Sequence, residues 1–298
     1  MLKQLYWRMV HILAKQATKI SPYWNTRILY RAYFKRKWEP DHPVTLNDKV
    51  LWLKYHDYWN NETVKRCADK YLVRDWIREK GCPELLNELI AVYESPEDID
   101  FAALPNRFAM KLNTGCACNF ICSDKSKYTE AQLKEMARAW FRQRYYLRYA
   151  EFQYKDVRPY ILIEEYLGAE DGSLPEDYKF YCFHGESKYV MLCDEREIGK
   201  SARFFYYDRE WNKLPLTQEA LDYPEIEVKK PALIEQAFAY AEKLSEGFPF
   251  VRADFYIVND RIYFGEMTFT PSAGLDRGRL PSTDLFLGKQ LSLDMTRE

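Results

Sequence analysis

Two apolar runs near the carboxyl end, separated by one turn dipeptide, constrain the fold more than any other feature of this sequence. The runs span residues 251–258 and 261–268, and Asn259-Asp260 lies between them. Asn and Asp tolerate the left-handed backbone of a two-residue hairpin turn, and the runs are rich in the aromatic and β-branched residues that strands favour. The sequence therefore predicts an antiparallel hairpin in the carboxyl-terminal part of the chain.

This predicted hairpin brings two carboxylates together. Successive residues of a strand point to opposite sides of the sheet. The residues that share a face are Arg252, Asp254 and Tyr256 on the first strand and Phe264, Glu266 and Thr268 on the second. Asp254 then lies towards Glu266, and such like charges destabilise a sheet unless a cation neutralises them. Mg²⁺ with a nucleotide polyphosphate suits this site, and the alternative is that each acid faces solvent beside a neighbouring Arg or Lys.

Other segments switch between helical and extended patterns without a regular β-α-β repeat, so we predict the α+β class. The predicted strands are 107–112, 159–167, 178–184, 187–193 and 203–207, with a hairpin turn at Gly185-Glu186. The predicted helices are 2–17, 62–79, 83–92, 129–150 and 231–246, together with one that begins at a cap at Thr45 or Asn47. The acidic segment 95–105, with two prolines, is predicted to be a loop and a candidate boundary between lobes.

The first 40 residues differ from the rest of the chain in charge. They hold nine basic residues and one acid, Glu39, although the net charge of the whole chain is −1. That net charge gives no reason to expect a nucleic-acid partner. Within residues 2–17, apolar side chains recur at helical spacing with basic residues between them. This helix is predicted either to lie on an anionic inner membrane or to pack on the body with its lysines in solvent.

Cysteine usage and the amino-terminal pattern predict a cytoplasmic protein. The seven cysteines, an odd number, are scattered along the chain, which is typical of reduced thiols rather than of a disulfide framework. Charged side chains interrupt the apolar residues of segment 1–20, so the pattern is that of neither a signal peptide nor a membrane-spanning helix.

Five segments resemble the TupA-like ATP-grasp proteins of bacterial surface-polysaccharide gene clusters. They are TLNDK at 45–49, MKLN at 110–113, IEEYL at 163–167, DYKFYCFHG at 177–185 and FGEMTFTP at 264–271. The pattern Arg-x-Asp-Phe, a short turn and Glu-x-polar-x-x-Pro is also similar to the metal-binding end of ATP-grasp enzymes such as D-alanine–D-alanine ligase. The resemblance runs from about residue 40 to 280.

That resemblance implies an ATP-grasp fold, in which two α/β lobes clasp ATP. Charge, aromatic content and periodicity set apart a basic aromatic arm over 1–40 and a helical region over 41–104, and the ATP-grasp domain is expected over 105–298. The two lobes would cover about 105–165 and 166–298.

A nucleotide site is also implied by the resemblance. Lys111 would contact phosphate, and Gly115 would let the loop backbone approach the nucleotide. The adenine pocket would be lined by Glu164, Glu165, Tyr166 and Leu167. Asp177 would bind the ribose hydroxyls. Lys179 and Arg203 are both candidates for the remaining phosphate oxygens.

By the same resemblance, Asp254, Glu266 and Thr268 would hold magnesium. Arg252 would act together with Lys111 in catalysis, by stabilising an acyl-phosphate or the oxyanion of a tetrahedral intermediate.

The implied function is that of a Mg-ATP-dependent carboxylate–amine ligase in surface-polysaccharide biosynthesis. Its partners would be a small-molecule or lipid-linked glycan carboxylate and an amine. Three alternatives stay open, because nucleotide-binding residues do not specify the acceptor. They are a kinase acting on a sugar hydroxyl, a non-enzymatic scaffold of a glycan assembly complex, and a glycosyl-transfer role.

Overall fold

Two antiparallel sheets form the framework on which the other segments pack. The computed structural model describes residues 2–169, 173–194 and 202–295. Within these ranges the smaller sheet has four strands and the larger has six, with helices before and between them. This mixture confirms the predicted α+β class.

The strands are numbered in chain order. The smaller sheet consists of β1 (Leu89–Tyr93), β2 (Phe108–Leu112), β3 (Asn119–Cys122) and β4 (Ile161–Glu165), in the order β1-β4-β2-β3. The larger sheet consists of β5 (Asp177–Phe183), β6 (Glu186–Asp194), β7 (Arg203–Asp208), β8 (Lys213–Leu214), β9 (Phe250–Val258) and β10 (Arg261–Thr268), in the order β10-β9-β5-β6-β7-β8. Every predicted strand is therefore confirmed, although the first hairpin turns through His184-Gly185, with φ of 53° and 82°, rather than through Gly185-Glu186.

The helices occupy the amino-terminal third and the connections. They are α1 (Leu2–Thr18), α2 (Pro22–Phe34), α3 (Leu46–His56), α4 (Glu62–Ala68), α5 (Val73–Glu79), α6 (Glu130–Phe141), α7 (Tyr146–Tyr149), α8 (Gln218–Asp222), α9 (Ile234–Ser245) and α10 (Pro281–Gly288). Short 3₁₀ turns lie at Pro83–Leu85, Pro96–Asp98, Lys125–Lys127, Phe152–Tyr154 and Pro271–Gly274. The cap predicted for α3 is confirmed, because Thr45 accepts a hydrogen bond from the backbone of Asp48 and the Asp48 carboxylate accepts one from the backbone of Thr45.

The helix predicted over 62–79 is wrong as a single element. It ends at Ala68, and α5 begins only at Val73. Asp69 causes the break, because its carboxylate accepts hydrogen bonds from the backbone of Tyr71 and Leu72 and from the Asn113 side chain. A buried aspartate that satisfies these donors outweighs the helical periodicity of the segment.

The helix predicted over 83–92 is also wrong. A 3₁₀ turn is followed by Asn87, whose side chain bonds the backbone of Glu88 and Glu165 and so starts the pairing of β1 with β4. The segment 95–105 therefore links two strands of one sheet, and the small sheet begins before the boundary expected near residue 104. The division expected near residue 165 stays a prediction.

The helix predicted over 129–150 is interrupted between α6 and α7. The carbonyl oxygens of Leu147 and Arg148 accept hydrogen bonds from Thr18 at 2.9 Å and from Asn25 at 3.2 Å. Contacts with the amino-terminal helices therefore set the direction of α7. The periodicity of residues 129–150 could not predict these contacts, because they involve distant residues.

Much of the aromatic arm packs into the body. Tyr30 and Trp38 are buried in a cluster with Leu51, Tyr55 and Leu275, and the Tyr30 hydroxyl donates to the carboxylate of Asp48. A larger cluster fills the space between the six-stranded sheet, α9 and the helices α3 to α5. No helix in the described part of the chain combines the length and the hydrophobicity needed to cross a bilayer.

Candidate active site

The hairpin of β9 and β10 places Asp254 directly opposite Glu266. A bulge at Gly265 produces this register, because pairs up to Phe264 opposite Phe255 follow the turn and later pairs are shifted by one residue. A Cβ at position 265 would lie 2.9 Å from the carbonyl oxygen of Asp254, so glycine is required. The bulge also corrects one prediction, since Phe264 packs with Phe255 on the core side and does not share the face of Glu266.

Asp254 is buried between two cations. Arg252 donates from Nε to Oδ1 at 2.7 Å and from Nη2 to Oδ2 at 2.6 Å. Lys179, its neighbour on β5, donates to Oδ2 at 2.9 Å. Burial raises the pKa of Asp254, and Arg252 and Lys179 oppose that rise. Burial acts to lower the pKa of Lys179, but Asp254 and Asp177 raise it overall, so Lys179 carries its positive charge at neutral pH.

Glu266 is the more open of the two carboxylates, with 37% of its side chain exposed against 4% for Asp254. Its Oε1 accepts a hydrogen bond from Thr268 at 3.1 Å and lies 3.5 Å from Nη2 of Arg252. Its Oε2 lies 3.9 Å from Nζ of Lys70. Burial acts to raise the pKa of Glu266, but Lys70 and Arg252 outweigh this effect, and the pKa falls to about 2. Glu266 is therefore ionised at neutral pH.

We call Asp254, Glu266 and Thr268, with the cations Arg252 and Lys179, the carboxylate cluster. The oxygen donors of this cluster are chemically suited to magnesium. Two carboxylates in register and the hydroxyl of Thr268 are hard oxygen donors, which Mg²⁺ prefers. Among the described residues, no group of three or more His, Cys, Asp or Glu side chains is arranged to hold a metal. A magnesium ion here would therefore need further oxygens, such as those of nucleotide phosphates, and Glu266 offers the most accessible protein oxygens.

Lys111 and Glu164 form an ion pair across β2 and β4. Nζ of Lys111 lies 2.6 Å from Oε2 of Glu164, and Nη1 of Arg74 lies 3.6 Å from Oε1. Burial acts to lower the pKa of Lys111, but Glu164 raises it overall. The Glu164 carboxylate thus bonds Lys111 and is not among the residues that line the cavity between the sheets, and its role at a nucleotide stays a prediction.

A cavity of about 90 Å³ opens between the two sheets. Lys111 from β2 and Tyr256 from β9 border it from opposite sheets. Glu165, Tyr166 and Leu167, at the end of β4 and just after it, form one wall. The structure thus brings together four of the residues predicted for the nucleotide, in a narrow cavity whose walls combine apolar and polar groups, as in small-molecule sites.

The loop after β2 is connected to the carboxylate cluster through Lys70. Nζ of Lys70 donates to the carbonyl oxygen of Gly115 at 2.8 Å while it faces Glu266. Gly115 has φ of 75°, and a Cβ there would lie 2.7 Å from the ring of Tyr145. Tyr145 and the backbone conformation therefore explain why glycine is needed, and the approach of this loop to a nucleotide stays a prediction.

The structure separates the two candidate phosphate ligands. Lys179 lies between Asp177 and Asp254 and belongs to the carboxylate cluster. Arg203 lies on β7, two strands away from β5, and its guanidinium is 3.8 Å from the carboxylate of Asp194. Of these two candidates, Lys179 therefore contacts Asp254, and Arg203 pairs with Asp194 instead.

Sequence reasoning did not select Lys70, Arg74 or Tyr256 for the site. Tyr256 shares its strand face with Asp254, so strand alternation was a sufficient signal for it. Lys70 and Arg74 lie in the segment predicted as one helix, and only the break at Asp69 turns Lys70 towards the cleft.

Two antiparallel sheets that enclose a cavity bordered by Lys111, with a carboxylate pair on one of them, fit the ATP-grasp class that the resemblance implied. Within that class, the family model described as TupA-like ATPgrasp matches residues 48–292. The chain therefore belongs to the TupA-like ATP-grasp family, as the sequence resemblance implied.

Solved structures with a similar fold include D-alanine–D-alanine ligases. The ATP complex of the Bacillus anthracis enzyme shows 15% sequence identity and a TM-score of 0.45, and the match covers 77% of this chain and 63% of that one. For the Helicobacter pylori enzyme the identity is 14% and the TM-score 0.43, with 83% and 69% covered. N5-carboxyaminoimidazole ribonucleotide synthetase from Thermus thermophilus shows 13% identity and a TM-score of 0.40, with 70% and 46% covered. No curated protein matches the sequence.

Proposed function

We propose that this protein is a Mg-ATP-dependent ligase that joins a carboxylate to an amine through an acyl-phosphate. The observation that carries the proposal is the cluster of Asp254, Glu266, Arg252 and Lys179 beside a cavity bordered by Lys111. Its charges suit phosphoryl transfer, which depends mainly on positioning and on electrostatic stabilisation.

In the first step, a carboxylate oxygen of the substrate attacks the γ-phosphorus of ATP. The bond from phosphorus to the bridging oxygen breaks, ADP leaves, and an acyl-phosphate forms. Lys111 and Lys179 neutralise the phosphate oxygens. Magnesium, held by Asp254, Glu266 and Thr268, would supply further neutralisation of the phosphates when bound.

In the second step, the amine nitrogen adds to the acyl carbon. The tetrahedral intermediate expels phosphate, and the nitrogen releases its proton to solvent. Arg252 lies where two cavities meet the carboxylate cluster and stabilises the developing oxyanion.

The carboxylate substrate occupies a cavity of about 390 Å³ that we call the Tyr181 cavity. Lys179 and Arg252 border it on one side, and the rings of Tyr181 and Tyr206 form part of its wall. Two cations beside aromatic rings suit a carboxylated sugar, whose ring packs on aromatic faces while its carboxylate pairs with the cations. Such a substrate agrees with the implied role in bacterial surface-polysaccharide biosynthesis.

Amino-terminal helix α1 holds the enzyme at an anionic membrane, where lipid-linked glycans are assembled. Val10, Ala14 and Ala17 face the body, whereas the opposite face forms an apolar stripe with side chains between 45% and 80% exposed. The stripe consists of Leu2, Leu5, Tyr6, Met9, Ile12 and Leu13. Ile12 also borders a basic groove lined by Arg8, Lys15, Arg142 and Arg144. An exposed apolar stripe beside cations is complementary to anionic lipid, at about 1 kcal/mol per basic residue near the surface.

The first experiment is a calorimetric titration with a non-hydrolysable ATP analogue, with and without Mg²⁺. We expect magnesium-dependent binding by the wild type and a loss of affinity of about tenfold or more in Asp254→Asn and Glu266→Gln, because each removes a charged metal ligand. Asp75→Asn, which changes an exposed acid on α5, is the matched control. Absence of analogue binding by the wild type would refute the proposal.

Product analysis then separates the ligase from a kinase. Release of phosphate that requires both a carboxylate and an amine supports the ligase, whereas a phosphorylated sugar formed without an amine identifies a kinase.

A further inference from the structure

The basic groove beside α1 has a volume of about 540 Å³. One wall belongs to α1, and the other runs from the end of α6 into α7. Both walls contribute cations, which are Arg8, Lys15, Arg142, Arg144 and Arg148. None of the described residues that line the groove is acidic. The groove is therefore a concave surface with charge of a single sign.

Nearby acids balance only part of this charge. Oε1 of Glu135 lies 3.0 Å from Arg142. Burial raises the pKa of Glu151, and Arg148 is among the cations that oppose this rise. Among the described residues, the other three cations of the groove have no acidic partner within 4 Å. The groove thus keeps a net positive charge.

The five cations of the groove are exposed, so water can satisfy their hydrogen bonds without a ligand. Water does not remove their common electrostatic potential, because like charges within a Debye length of about 8 Å add in a concave surface. His11, which also lines the groove, lies in this potential: burial lowers its pKa, and Arg148 and Arg277 lower it further. Such a surface attracts a multiply charged anion, and a phosphate or diphosphate ester is one.

An apolar surface borders the groove on the side of α1. Ile12 lines the groove and also belongs to the exposed stripe that contains Leu5, Met9 and Leu13. A ligand with its phosphate among the cations can therefore lay an apolar chain along α1. A soluble phosphate ester would gain nothing from this stripe, so the arrangement favours a lipid phosphate.

The groove is also adjacent to the proposed reaction site. Tyr145 and Arg148 line both the groove and a cavity of about 390 Å³ that Arg252, Glu266 and Thr268 border. A group attached to a phosphate in the groove can thus extend past Arg148 towards Arg252.

We propose that the basic groove binds the phosphate or diphosphate group of a lipid-linked substrate. The lipid chain lies along α1, and the reacting group lies in the cavity beside Glu266 and Thr268. Only the statement that the bound lipid is a substrate rests on the proposed ligase function, because the charge and the apolar stripe that bind it do not depend on the reaction.

The test measures binding to protein that is saturated with the ATP analogue and Mg²⁺, so that diphosphate probes do not occupy the nucleotide site. Farnesyl diphosphate combines an apolar chain with a diphosphate. Farnesol lacks the diphosphate, whereas inorganic pyrophosphate and uridine diphosphate lack the chain. We expect farnesyl diphosphate to bind about tenfold or more tightly than each of the other three, since each lacks one of the two contacts. Its affinity should fall as salt is added.

Two variants assign these contacts. Arg8→Gln/Arg144→Gln removes one cation from each wall and should weaken binding of farnesyl diphosphate by about tenfold or more, with unchanged binding of the ATP analogue. Ile12→Ser should weaken farnesyl diphosphate and leave pyrophosphate unchanged. Arg27→Gln/Arg31→Gln is the matched control, because it removes the same charge from exposed positions of α2 that do not line the groove.

The inference is overturned if pyrophosphate or uridine diphosphate binds as tightly as farnesyl diphosphate, since the groove would then hold a soluble phosphate. Farnesol binding as tightly would overturn it too, because the cations would then contribute nothing. Equal binding of farnesyl diphosphate by the two double variants would have the same meaning. Failure of the wild type to bind the ATP analogue would instead contradict the proposed function, so the two failures are distinguishable.

Discussion

At the scale of single residues, Gly265 decides which side chain faces Asp254. A regular hairpin around the Asn259-Asp260 turn would pair Asp254 with Gly265 itself and Glu266 with Ala253. The bulge removes Gly265 from the ladder, so that the two carboxylates become direct neighbours. A residue without a side chain thus determines the geometry of the carboxylate pair.

Gly265→Ala should therefore abolish magnesium-dependent binding of the ATP analogue. The added Cβ would lie 2.9 Å from a backbone carbonyl oxygen, so the bulge has to rearrange and Glu266 moves out of register. Calorimetry measures the affinity, and circular dichroism checks the fold. Gly278→Ala is the control, since its Cβ would meet its nearest neighbour at an ordinary 3.5 Å. Equal affinity in wild type and Gly265→Ala would show that the register does not matter.

The pKa of Glu266 makes a second prediction at this scale. Because Lys70 and Arg252 lower its folded-state pKa to about 2, below the usual value of a glutamate, its contribution to stability is fully present above the unfolded-state pKa. That contribution is lost as the pH falls from about 4.5 towards 2. Denaturant unfolding at several pH values should show a steeper loss of stability on acidification for the wild type than for Glu266→Gln. Parallel profiles for the two proteins would contradict the prediction.

At the scale of elements, α1 shows why a periodic pattern does not tell which face is buried. The apolar residues of this helix follow the spacing of a core-facing stripe, yet the structure buries small residues such as Ala14 and Ala17 and leaves the larger ones exposed. The buried face is narrow because α2 and α7 approach closely through hydrogen bonds of Thr18 and Asn25. The helix thus packs on the body through this narrow face, and contact of its exposed stripe with lipid stays a proposal.

The double variant Leu5→Ser/Leu13→Ser should weaken binding to anionic lipid vesicles by about tenfold or more, because each leucine contributes about 1.5–3 kcal/mol when it is fully removed from water. Cosedimentation with phosphatidylglycerol-containing vesicles measures this effect, and phosphatidylcholine vesicles should bind less protein. Leu221→Ser, which alters a leucine that is 51% exposed on α8, is the matched control. Equal sedimentation of the double variant and the control would rule out the lipid contact.

At the scale of the whole molecule, Arg252 connects the separate parts of the site. It bonds Asp254, borders the Tyr181 cavity and also borders a second cavity, on the side of Glu266 and Thr268. In the proposed reaction the acyl-phosphate forms beside this guanidinium. The ion pair of Lys80 with Glu246 links the end of α5 to the segment between α9 and β9. The helical region therefore packs against the segments that connect the strands of the larger sheet.

The sequence by itself was sufficient for features set by neighbouring residues. Strand alternation and an Asn-Asp turn predicted the last hairpin, and Thr45 was a predicted cap at the start of α3. These predictions were confirmed because hairpin pairing and capping involve residues close together in the chain. The meeting of Asp254 and Glu266 depended in addition on the bulge at Gly265.

Tertiary structure alone decided features that depend on distant partners. The break at Asp69 that turns Lys70 towards Glu266 depends on Asn113, and β1 becomes a strand only because β4 pairs with it. The cavity beside Glu266 and Thr268 likewise combines side chains from α2, α7 and the segment after β10, which share no local pattern. Strand pairing and burial between distant segments outweigh local propensity. No short stretch of the sequence could therefore predict the break at Asp69, strand β1 or the lining of this cavity.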